Sequence, residues 1–188
     1  MSISNEDKEL YGPLANLIGI WEGDKGLDIA PEKTGEEKSP YFETITIEGL
    51  GTATNASEQT LAVLAYKQVV SRISTGDVFH HQTGYWYWDK STQDVLYSLL
   101  IPRAVAVLAR GKAQAKGSAQ LINVRASAPD KNYGILESTF MAAKASTRNF
   151  EMDVTVDGNS LQYTMKTGLY IYGRDFMHTD INTLSRKR

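Results

Sequence analysis

The sequence has no cysteine among its 188 residues. Disulfides, thiolate metal centres and cysteine nucleophiles are therefore excluded. Histidine is scarce too, at three residues, so a structural or catalytic zinc site is not expected. Neither charge sign is in excess: the net charge is -2, which gives no electrostatic case for nucleic acid or an anionic membrane as partner. The closing "RKR" reads as three charges on a frayed end. No apolar run approaches the roughly 20 residues of a membrane span. The opening "MSISNEDKEL" is polar and acidic, the reverse of a signal peptide. A soluble cytoplasmic protein is the expectation. Also missing are a Gly-x-Ser-x-Gly elbow, a phosphate loop and any spacing that singles out an acid pair.

What is present is strand. Hydrophobic residues make up 41%, enough for one domain with a core. Residues 1–17 read as a helical lead-in, with Ser4 or Asn5 as N-cap and Gly12-Pro13 as a break. From residue 18 onward, short runs of Val, Ile, Thr, Tyr and Phe alternate with turn residues. "FEMDVTV" puts Phe150, Met152, Val154 and Val156 on one face, and Asp157-Gly158 marks a hairpin into "SLQYTMKTGLYIY". Further strands are expected over 41–49, 60–73, 78–88, 94–101, 103–113, 119–126, 135–145 and 178–186. The polar "DIAPEKTGEEKSP" is expected to be a loop. About ten sequential antiparallel strands in one all-β domain over 18–188 imply a closed barrel, whose closure leaves no exposed edge and whose interior can hold one ligand.

"PLANLIGIWEGDKG" makes the reading specific. Pro13, Leu14, Leu17, Gly19, Trp21 and Gly23 resemble the opening of the nitrobindin family, haem-binding β-barrels of the calycin superfamily that are similar to fatty-acid-binding proteins. "YFETITIE", "FHHQTGYWYW", "VLYSLLIPRAVAVLARG", "DGNSLQYTMKTG" and "HTDINTL" resemble successive family segments in the expected order. Two places depart from the pattern: the stretch after Gly26 lacks a Tyr-Pro-Thr-Ile run, and the last strand reads His-Thr-Asp-x-Asn-Thr-Leu. The resemblance implies a barrel plugged at one end by Trp21, haem b as cofactor, and His178 as axial ligand of the haem iron. It further implies peroxynitrite-to-nitrate isomerisation as an activity conditional on haem.

The bland reading of His178 is a strand residue bonded to Asp180 or Asn182. Its parity is awkward, because Ile181 would be the natural inward residue of a regular strand; a strand that begins only after His178 would free its direction. His80 and His81 are adjacent on a strand and leave opposite faces, so only one points inward. Register with Gly84-Tyr85 selects His80. Tyr85, Trp86 and Trp88 of "GYWYW" are pocket candidates, and Trp86 shares the parity of His80. Arg103 could meet a ligand carboxylate, with Arg148 and Lys144 as weaker candidates. Tyr97, Tyr163, Tyr170 and Tyr172 offer phenols to a ligand. The expected partner is a small apolar ligand, haem first, with a fatty acid or similar carboxylate as the alternative. Monomer and homodimer are both left open.

Overall fold

The computed structural model describes residues 4–187. Helix α1 (Asn5–Tyr11) is capped by the Ser4 hydroxyl, which accepts from the Asp7 amide at 3.0 Å. A 3-10 segment, Gly12–Leu17, follows directly. The strands are β1 (Gly19–Pro31), β2 (Glu36–Asn55), β3 (Gln59–Arg72), β4 (Val78–Asp89), β5 (Asp94–Ile101), β6 (Val105–Lys116), β7 (Ala119–Ser127), β8 (Ile135–Glu137), β9 (Ala145–Asp157), β10 (Ser160–Ile171) and β11 (Arg174–Arg186). A short helix α2 (Thr139–Lys144) stands between β8 and β9. All strand pairings are antiparallel. The order β5-β4-β3-β2-β1-β11-β10-β9-β7-β6 is closed by β5–β6, and β8 lies outside on β6. This is the closed barrel of ten strands that the sequence implies, with one outside strand.

Up-and-down connectivity sorts the loops into two ends. The lead-in and the turns after β2, β4, β6 and β9 lie at one end. The turns after β1, β3, β5 and β10, together with β8–α2, lie at the other, which is the mouth. The closed end is apolar: Leu14, Leu17, Trp21, Val95, Val156 and Leu184 are fully buried or nearly so. The Trp21 indole donates to the Leu17 carbonyl at 2.7 Å, so its one polar atom is satisfied. The Arg186 guanidinium lies over the same ring at 4.1 Å and donates to the Asn16 and Ile18 carbonyls. Part of the terminal "RKR" is therefore a clamp on the barrel plug, not a frayed charge.

Three further expectations need correction. "DIAPEKTGEEKSP" is not a loop: β1 and β2 pair from Gly26↔Tyr41 up to Pro31↔Glu36, and only its tip turns. The stretch 135–145 holds a three-residue strand and then α2, because Ser138 accepts from the Met141 amide and starts a helix. Strand β11 starts at Arg174, so His178 lies well inside it rather than before it. Its buried residues are Asn182 and Leu184, which fixes the inward parity on His178 and Asp180 and leaves Ile181 37% exposed on the outer wall. The Asp157-Gly158 hairpin forms as read, with Gly158 at φ +57°.

Because Trp21 is fully buried, hydrogen-bonded and stacked, Trp21→Ala should lower unfolding stability by about 3–5 kcal/mol. Chemical denaturation followed by circular dichroism measures this; a loss below about 1 kcal/mol would show that the plug is dispensable.

Candidate functional site

The mouth is set by a bulge in β1. Trp21 faces inward, and strict alternation would turn Asp28 outward. Between Gly23↔Glu43 and Gly26↔Tyr41, β1 uses one residue more than β2. The extra residue reverses the parity and aims Asp28 into the barrel. Gly26 permits close packing after the bulge: a Cβ there would strike the Tyr41 ring. Asp28 then stands directly opposite Asp180 on β11, both inward. Asp28 Oδ1 lies 2.7 Å from His178 Nε2, and Asp180 Oδ2 lies 3.7 Å from the same nitrogen. The three side chains are 14%, 16% and 30% exposed for Asp28, Asp180 and His178, so they are sheltered yet reachable from the mouth.

Electrostatics follow from this packing. Burial pushes the His178 imidazole down, but the Asp28 hydrogen bond and the Asp180 and Asp28 charges outweigh it, and the net shift is upward. Burial raises Asp180 to about 6, partly offset by His178 and reinforced by Asp28. His80 faces the same mouth. Burial holds it below its ordinary value, and the positive charges of Arg103 and His178 act in the same direction. Arg103 is exposed on the turn between β5 and β6, close enough for its charge to reach both histidines.

Below the mouth the interior carries buried polar clusters beside apolar and aromatic side chains. Glu43 is fully buried; Gln68 donates to one of its oxygens at 2.5 Å and Asn182 to the other at 2.7 Å. Tyr41 and Tyr163 share a hydrogen bond of 2.6 Å between β2 and β10, and Gln68 reaches Tyr163 at 3.3 Å. A second cluster joins Tyr66 to Tyr97 at 2.7 Å, with Gln82 donating to both. The Tyr97 ring stacks on Phe150 of β9 with centroids 5.9 Å apart and meets Trp86 at a tilt of 44° with centroids 4.3 Å apart. Aromatic side chains thus span the barrel from β4 and β5 to β9.

The remaining sequence candidates scatter. His80 and Trp86 share the inward face and His81 is exposed, since the β3–β4 register is continuous from His80 to Asp89. Trp86 lies deeper, in the aromatic layer. Trp88 is also inward but at the closed end, where its ring covers Gly12. Tyr85 points outward and is 43% exposed, because alternation gives the interior to Trp86 and Trp88; contrary to expectation, it does not line the interior. Arg148 pairs with Asp175 on the outer wall, and Lys144 is exposed at the end of α2. Tyr170 and Tyr172 are exposed, whereas Tyr97 and Tyr163 belong to the buried clusters. Asp28 and Glu43 were missed. "YFETITIE" carried a signal for Glu43: Tyr41, Glu43, Ile45 and Ile47 share one parity, so an acid sits on an apolar face.

Residues 10–186 match the family described as THAP4-like, heme-binding beta-barrel domain. The chain therefore belongs to that family of ligand-binding barrels. Its structure resembles the crystal structure of Rv2717c from M. tuberculosis with a TM-score of 0.68 and 17% identity, covering 100% of both chains. No curated protein matches the chain significantly.

Burial pushes the Glu43 carboxyl up to about 7, against its Gln68 and Asn182 hydrogen bonds. Below about pH 4.5 it is protonated whether the chain is folded or unfolded. Between there and about pH 7 the unfolded chain gives up the proton while the folded chain keeps it, so its contribution to stability is lost as pH rises through that window. Glu43→Gln removes this slope but places one amide against two amide donors. The variant should be less stable than wild type at pH 5, with the gap narrowing by on the order of 1–3 kcal/mol at pH 8. Urea titrations at both pH values measure it, and a gap independent of pH would refute the assignment.

Proposed function

We propose that this member of the THAP4-like, heme-binding β-barrel family binds its ligand at the barrel mouth around His178, with a polar and anionic donor set rather than a slot for haem. One contact carries the reading: the Asp28 carboxylate at 2.7 Å from His178 Nε2. Iron held by that nitrogen would stand about 2 Å from it, judging by metal–imidazole bonds in general. The Asp28 oxygen already fills that approach. Asp180 flanks the same nitrogen at 3.7 Å, so a haem seated there would press the face of its apolar ring against two carboxylates. His178 has the direction of an axial ligand; the groups around it do not suit a flat apolar macrocycle.

A second reading is favoured by the family's description and by the inward aim of His178: haem b bound on that residue, with Asp28 swung aside. A fatty acid fares worse, because its carboxylate head group would face Asp28 and Asp180 at the mouth.

Titration with ferric haem separates the readings. Wild type should show no Soret shift that depends on His178, measured against His178→Ala. The double variant Asp28→Ala/Asp180→Ala should gain one. A stoichiometric band in wild type that disappears in His178→Ala would establish haem instead.

A further inference from the structure

We infer that Asp28, His178 and Asp180 form a binding site for a divalent metal ion at the barrel mouth, an inference that rests on the polar reading of this mouth. The three side chains each offer one ligand atom, and these atoms all lie within 4.8 Å of one another. Around an ion with bonds of about 2.1 Å, neighbouring ligand atoms stand about 3.0–3.4 Å apart. The observed separations from His178 Nε2, 2.7 and 3.7 Å, bracket that range, so small side-chain rotations complete the shell.

The backbone makes the cluster deliberate. Asp28 and Asp180 are direct cross-strand partners on one face, an arrangement in which like charges repel. The β1 bulge places Asp28 there, and the barrel register holds Asp180 opposite. Among the described residues no hydrogen-bond donor reaches the Asp180 carboxylate within hydrogen-bonding distance; its nearest cationic neighbour is the imidazole at 3.7 Å. An imidazolium on His178 neutralises one of the two acids. A divalent ion neutralises both and uses the imidazole as a neutral ligand. Arg103 on the rim opposes a cation, but it is exposed and screened, whereas the two carboxylates are sheltered.

The donor set defines the class of ion. One imidazole and two carboxylates suit Zn²⁺, Mn²⁺ or Fe²⁺ more than a soft or monovalent ion. Three protein ligands leave further coordination positions open toward the mouth, the composition of a site that also takes water or a small oxygen donor. The scarcity of histidine and lack of cysteine hid this site, because carboxylates supply two of its three ligands.

The test uses full-length protein without an affinity tag, stripped with chelator and titrated with Zn²⁺ by calorimetry and with Co²⁺ by visible absorption. Wild type should take one equivalent, and Asp28→Asn, His178→Gln and Asp180→Asn should each weaken it by about tenfold or more. His81→Ala, on the outer wall, should leave it unchanged. Circular dichroism checks folding of each variant. Should a variant fail to fold, wild type alone decides: Mn²⁺ should broaden the NMR signals of the His178 ring before those of His81. Absence of binding, or binding that ignores the three substitutions, would overturn the inference. Ferric haem is titrated in parallel. Haem seated on His178 would overturn the polar reading itself, whereas neither haem nor metal would remove only the ion.

Discussion

Closure of the barrel is the constraint on which the chemistry of this protein depends. With β5 paired to β6 the sheet has no edge among its ten closing strands, and no strand can slip by one residue without turning its inward set out. In β11 such a slip would expose Asn182 and Leu184. The register that buries those two also delivers His178 and Asp180 to the interior. Two acids and an imidazole at the mouth are thus held in place by apolar packing at the opposite end, where Trp21, Leu17 and Leu184 set the fit.

The polar interior between mouth and plug is not a defect of packing. Glu43 accepts from Gln68 and Asn182, and Tyr41, Tyr163, Tyr66, Tyr97 and Gln82 complete one another. Buried polar groups in such a satisfied network cost little, and each partner's removal would strand another. The layer is also coupled to the mouth. The Asp180 charge adds to the burial that keeps Glu43 from ionising. A cation above would act on both acids in the same direction, lowering Asp180 directly and easing Glu43 at longer range.

Much of the architecture was legible from the residues. Alternation in "FEMDVTV" and the Asp-Gly turn located a hairpin, and the family resemblance that begins at the Gly-x-Trp opening implied the plug. His80 and Trp86 fall on the inward face because nothing interrupts the period between them. The mouth was harder to read for one physical reason: parity cannot be counted across a bulge whose position is unknown. "GDKG" carries that bulge, so Asp28 looked like part of a polar loop when it is an inward strand residue. Ile181 misled in the opposite sense. An isoleucine on a barrel strand suggests the interior, yet at this level the interior is polar and the isoleucine covers the outer wall. Arg186 shows a third limit, since no local pattern announces that a terminal cation will stack on an indole far away in sequence.

The polarity of the mouth bears on what this branch of the family can hold. An apolar ligand gains about 25 cal/mol for each square ångström it hides, but only against walls that are themselves apolar. Here the β1–β11 side of the opening is Asp28, Asp180 and His178, while Val70, Leu99 and Val105 supply apolar wall on β3, β5 and β6; burying the two carboxylates against hydrocarbon is costly. A flat macrocycle or an acyl chain would also have to displace the Tyr97–Phe150 stack to go deeper. A small ligand that answers the carboxylates with positive charge meets neither obstacle. It uses donors already gathered by the strand register and relieves the repulsion between the paired Asp28 and Asp180. On the proposed reading, the shared barrel sets the mouth as the place of entry, and the residues brought there by the β1 bulge set the chemistry a ligand must answer.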